Sequence, residues 1–125
     1  MPEPLIFIGT HAIKPGMLDT AKSASRDLAD FLEPNHPRIN HFEVNVDDEA
    51  NEMTVIQIHP DEDSVLFHIQ IAGEKIRSAY EFLEGTTKIE LYGNPSQTVI
   101  DVVNQMSMGA PVRFNQAVAR FSRLR

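Results

Sequence analysis

Apolar and polar positions change their spacing several times along this chain, and each change marks an element. Pro4 to Lys14 holds the dense run LIFIGTHAI, apolar on both faces, which predicts a strand flanked on either side by others. Pro15-Gly16 stops it. From Met17 the spacing lengthens, with Met17, Leu18, Ala21, Leu28, Phe31 and Leu32 on one helical face and Asp19, Lys22, Arg26 and Asp30 elsewhere, giving an amphipathic helix up to Glu33-Pro34. Arg38 to Val46 then alternates, setting Phe42, Val44 and Val46 against His41, Glu43 and Asn45. The polar turn Asp47 to Asn51 joins it to a β-branched strand at Thr54 to Ile58, so the two form a hairpin.

Pro60 ends that strand. Asp61, Glu62 and Asp63 offer a cap and a favourable charge to a following helix, in which Val65, Leu66, Ile69 and Ala72 recur at helical spacing. Glu74 to Glu84 reads as a second helical segment closed by a left-handed Gly85, and Thr86 to Tyr92 as a fourth strand. Ser96 opens a further helix with Val99, Ile100, Val103 and Met106 on one face, Gly109-Ala110-Pro111 ends it, and Val112 to Leu124 reads as a last strand. The order predicts an α+β, ferredoxin-like split βαβ domain with an antiparallel sheet, spanning residues 1–125, with 96–125 as a C-terminal helix and strand extension. Helices on one face leave the other sheet face uncovered. A homodimer packed sheet to sheet, reinforced by Ser96 to Leu124, is therefore expected.

Composition narrows the function. With 125 residues, 42% hydrophobic and 23% charged, the chain has the make-up of an ordinary globular domain. A net charge of −7 argues against a nucleic-acid partner, although Arg113, Arg120, Arg123 and Arg125 gather near the C-terminus. No apolar segment is long enough to cross a membrane, and no leader peptide is recognised. The lack of cysteine excludes thiol chemistry and disulfides, and suits a cytoplasmic protein.

Five histidines carry the candidate chemistry: His11, His36, His41, His59 and His68. None pairs at a zinc-like spacing, so no metal is expected. His36, between Asn35 and Pro37, reads as an exposed loop residue, while His11, His41 and His59 lie on strands within reach of a common face. His68 stands apart, because its helix neighbours Leu66, Phe67 and Ile69 are apolar and burial would keep it neutral near pH 7. Neither a phosphate-cradling loop, nor a Rossmann fingerprint, nor a nucleophile elbow is present, so no cofactor is expected.

The stretches LIFIGTHAIKPG and VIQIHPDEDSVLFHI resemble the antibiotic biosynthesis monooxygenase-like family over about Leu5 to Tyr92. The resemblance implies a dimeric α+β barrel, a fold that hosts small and often cofactor-free oxygenases, with a histidine at the position of His68. Where the family often ends its third strand with tryptophan, this chain has His59. The haem-degrading relatives are a poor match, since their first-strand asparagine falls at Gly9 and their haem-ligand histidine near Ser78. The expected activity is monooxygenation of a hydroquinone or polyphenol by dioxygen, with His68 as base or hydrogen-bond partner and His59, Asn45 and Tyr80 as substrate-binding groups. The competing expectation is a non-catalytic small-molecule binder or structural protein of the same fold.

Overall fold

The computed structural model describes residues 3–123. Its elements are β1 (Leu5–Ile13), α1 (Leu18–Asn35), β2 (His41–Asp47), β3 (Glu52–His59), α2 (Glu62–Ser78), a 3-10 turn (Ala79–Glu81), β4 (Leu83–Tyr92), α3 (Gln97–Met106) and β5 (Val112–Asn115). The strands form one sheet in the order β2-β3-β1-β4-β5. The first four are antiparallel neighbours, as expected of a ferredoxin-like fold, and β5 joins β4 in parallel, which makes the sheet mixed. The doubly apolar β1 lies at its centre, between β3 and β4.

Strand alternation sorts the side chains by face. Leu5, Phe7, His11 and Ile13 of β1 face the helices, together with Met53, Val55, Gln57 and His59 of β3, whereas Ile6, Ile8, Ile56 and Ile58 face the other way. Beneath the helices the core divides in two. One cluster joins Leu5, Val65, Ile89, Leu91, Val99 and Val103; the other joins Ile13, Ala21, Met53, Phe82 and Leu83. Val99 and Val103 of α3 are thus spent on the core of their own chain rather than on the uncovered sheet face.

Three elements differ from expectation. The helix beginning at the acidic cap does not stop near Gly73 but continues as one helix to Ser78. An isolated glycine weakens a helix without ending it, and here no proline or alternative cap competes. Gly85 is not a helix terminator; it lies within β4, and the turn into that strand is made by the 3-10 segment, where Phe82 N–H donates to Ala79 O at 3.0 Å. β5 covers only four residues, and 116–123 carry no regular structure. The ladder closes at Gly93 (φ 134°), whose N–H donates to Asn115 O at 2.8 Å, and Tyr92–Asn115 is its last residue pair. Leu124 lies outside the described residues. Among those residues, no helix is long and apolar enough to cross a membrane.

Candidate functional site

A cavity of about 310 Å³ opens between the sheet and the helices, bridging the two core clusters. Its walls are mainly apolar, with Phe7, Phe42, Val55, Leu28, Ile69 and Met106 among them. Its polar lining comprises His68 with Gln57 toward one end, His11 with Thr86 and Tyr80 toward the other, and Ser25 and Asp27 of α1 and Lys75 and Ser78 of α2.

The first end is built by the start of α2. Asp61 caps this helix by accepting from Ser64 N–H at 2.9 Å, and its other oxygen holds Arg38, which ties the loop after α1 to the same point. Val65, His68, Ile69 and Ile76 fall on the inward stripe of α2, so His68 enters the cavity at 3% exposure. Two more imidazoles surround it. Ring centroids are 5.4 Å apart for His36–His68, 5.7 Å for His59–His68 and 5.9 Å for His36–His59, and Phe42 lies 6.2 Å from His68 on the cavity side.

The three histidines are not equivalent. His59 is locked, since its Nε2–H donates to Gln57 Oε1 at 2.8 Å and its Nδ1 accepts from Ser64 Oγ–H at 2.7 Å. His68 Nδ1 and both ring nitrogens of His36 are buried without a hydrogen bond among the described residues. Burial lowers the pKa of His68 to about 4, with a smaller contribution from His36, and that of His59 to about 3, with His68 and His36 adding to the effect. Burial and the nearby Arg38 charge also lower His36, partly offset by the Ser64 backbone. All three are therefore neutral at pH 7. Among the described residues no group of histidines and carboxylates is arranged to hold a metal ion, and His59 has no ring nitrogen to spare.

At the far end, β1 and β4 slip in register between Thr10 and His11, which sets His11 opposite Thr86. His11 Nδ1 is 3.0 Å from Thr86 Oγ1, and Tyr80 Oη is 2.6 Å from that same oxygen. Burial lowers the His11 pKa to about 4.

Of the residues singled out from the sequence, His68, His59 and Tyr80 come to this cavity or its rim. His68 and Tyr80 line it, while His59 stands behind His68 and Gln57. Asn45 does not. It is exposed on the opposite sheet face, donating to Glu43 Oε2 at 2.7 Å, because strand alternation sends Val44 and Val46 inward and leaves Asn45 outside. His41 shares that outer face, so it cannot join His11 and His59 as expected. The loop residue His36 is buried at 2% exposure rather than exposed. Sequence reasoning missed His36, Gln57 and Thr86. Gln57, a polar residue inside a β-branched strand, carried a usable signal, whereas the other two depend on loop docking and on the register slip.

No protein-family model matches this sequence, and no curated protein does. Solved structures do match. MupZ from Pseudomonas fluorescens is similar over 98% of this chain and 91% of its own, at 17% identity and a TM-score of 0.75. A protein from Caulobacter crescentus CB15, named a "putative antibiotic biosynthesis monooxygenase", is similar over 72% of this chain and 88% of its own, at 15% identity and a TM-score of 0.63. PA3566 from Pseudomonas aeruginosa is similar over 77% and 98%, at 17% identity and a TM-score of 0.63. At such identities the likeness is one of fold, and the fold is the ferredoxin-like one found in structures named antibiotic biosynthesis monooxygenase.

Proposed function

We propose that this chain, which shares the fold of the antibiotic biosynthesis monooxygenases, oxidises an electron-rich phenol or hydroquinone with dioxygen and without a cofactor. The observation that carries the reading is His68: a neutral, buried imidazole set in the wall of a mainly apolar cavity of about 310 Å³. That volume is at the low end for ligand cavities, which fits a small aromatic. A phenol bound against these walls can give its proton to His68. The resulting imidazolium and phenolate stabilise one another in a medium of low dielectric.

The phenolate then supplies the electrons. Dioxygen bonds a ring carbon that carries hydrogen, para to the phenolate oxygen (in a hydroquinone, one of a further fused phenol ring). The peroxide takes up the proton from the imidazolium, and loss of that carbon's hydrogen with cleavage of the O–O bond releases water and leaves a quinone carbonyl. One oxygen atom ends in product and one in water, and all four electrons come from the substrate. Gln57, backed by His59 and Ser64, offers a fixed polar group beside the base, and Phe7 and Phe42 hold the ring plane. Two copies packing their uncovered sheet faces together would complete the assembly expected of this fold.

Oxygen uptake by chelator-treated protein against a panel of hydroquinones and polycyclic phenols tests the reading. His68→Ala is expected to lower turnover by about 10² to 10⁴ with the fold intact, the usual share of a positioned base. His68→Gln should keep binding better than rate. Loss of stability with unchanged activity per folded molecule would make His68 a packing residue. Saturable binding with no oxygen uptake would favour the alternative, a small-molecule binder.

A further inference from the structure

The end of the cavity away from His68 has fixed polar contacts of its own, and the reaction above leaves it without a role. His11, Thr86 and Tyr80 form a chain of hydrogen bonds, 3.0 Å from His11 Nδ1 to Thr86 Oγ1 and 2.6 Å from Thr86 Oγ1 to Tyr80 Oη. A phenolic hydroxyl, with an ordinary pKa of about 10, is a better donor than an aliphatic one. Tyr80 is thus the stronger donor toward Thr86, and the order taken in the proposal below sends the threonine proton to His11 Nδ1. That order leaves the histidine proton on Nε2.

The backbone leaves room for that nitrogen. A β-carbon placed on Gly9 would come within 3.1 Å of His11 Nε2 and 3.4 Å of Phe7 Cε1, so the ring lies back along β1 over Gly9, toward the middle of the cavity. On the sheet His11 pairs with Met53 and Phe7 with Gln57, four residues or about 13 Å along the strand. His68 stands at the Gln57 level, beside Phe42. Along the strand His11 Nε2 thus sits two positions, or about 7 Å, from the Gln57 level, and the step from β1 across to α2 adds to its separation from His68.

We propose that His11 is a ligand-binding donor, held in place by Thr86 and Tyr80, and that the cavity takes a flat aromatic of one or two fused rings with an oxygen at each end. One oxygen accepts from His11 Nε2–H and the other meets His68. This rests on the reading of the cavity as a phenol site but concerns binding alone. Thr86 and Tyr80 act through His11 as positioning residues.

Titration calorimetry in oxygen-free buffer with 2,6-dihydroxynaphthalene and 2-naphthol tests it. Wild-type protein is expected to bind the diol about tenfold tighter, the yield of one added hydrogen bond. Thr86→Val, which keeps the shape and removes the hydroxyl, should bring the two ligands within about twofold while 2-naphthol affinity holds. Gly9→Ala, which presses on Nε2, should do the same. Nitrogen-15 NMR of the His11 ring should report the Nε2–H form. Equal affinities in the wild type, a preference that survives Thr86→Val, or an Nδ1–H ring would overturn the proposal. Because oxygen is absent, a protein that binds the diol but never oxidises it would sink the oxygenase reading and leave this one standing.

Discussion

Burial holds His11 and His68 at a pKa of about 4 and His59 at about 3, well below the ordinary imidazole value. In the unfolded chain the same side chains titrate near 6.5. Between about pH 6.5 and 4 the unfolded state thus binds more protons, and folding stability falls as pH is lowered through that window. Each such histidine contributes at most about 1.4 kcal/mol per pH unit while its two states differ by a full proton. Calorimetric melting should show a steep loss between pH 7 and 5, and a melting temperature flat over that range would mean that these rings are hydrated. For catalysis the same depression has the opposite benefit. His68 stays unprotonated down to about pH 4, so its own titration should put no limb near 6.5 on kcat/KM. This residue was legible in the sequence because three apolar neighbours on a helix predict burial, and burial predicts neutrality. His36 was not, since a loop residue between Asn35 and Pro37 has no periodic pattern, and its burial arises from the Arg38–Asp61 pair that draws the loop onto α2.

Strands β1 to β3 and helix α1 were readable because their apolar spacing spans several residues and their ends carry Pro, Gly or polar turns. The region from Gly73 to Gly85 departs from its sequence pattern, because an isolated glycine in a periodic stretch looks like an element end whether or not the element ends there. In the structure the first is a buried position inside α2 and the second a strand residue opposite Ala12, near the β1 irregularity. The pairing of His11 with Thr86 depends on the nearby register slip at Thr10/His11, and nothing in the sequence announces it. Gly93 is the glycine whose conformation the fold does require. It has φ 134°, and a β-carbon there would lie 2.7 Å from Leu5 Cδ2 and 2.9 Å from the Pro4 carbonyl oxygen. Gly93→Ala should therefore cost about 2–3 kcal/mol in urea unfolding, through backbone strain and displacement of the β1 entry. A cost under about 0.5 kcal/mol would show that the turn after β4 gives way freely.

On the whole molecule, helices cover one face of the sheet and leave Ile6, Ile8, Ile56 and Ile58 on the other, with Ile6 37% exposed. A second copy covering that face is the proposed occupant, and sedimentation should give twice the chain mass. Ile8→Asp would place an uncompensated charge in that interface at a cost of several kcal/mol, and should yield monomer or insoluble protein. A wild type that sediments as a stable monomer would end the idea. The cavity has a consequence of its own for engineering. Space that admits a ligand withholds packing from the empty protein, where unfilled volume is worth about 24 cal/mol per Å³. The most direct route to a hardier variant is to fill it, for instance with Ala24→Leu from α1. Such a variant should melt higher and bind 2-naphthol more weakly, so selection for robustness alone would steer this chain toward closing its own site.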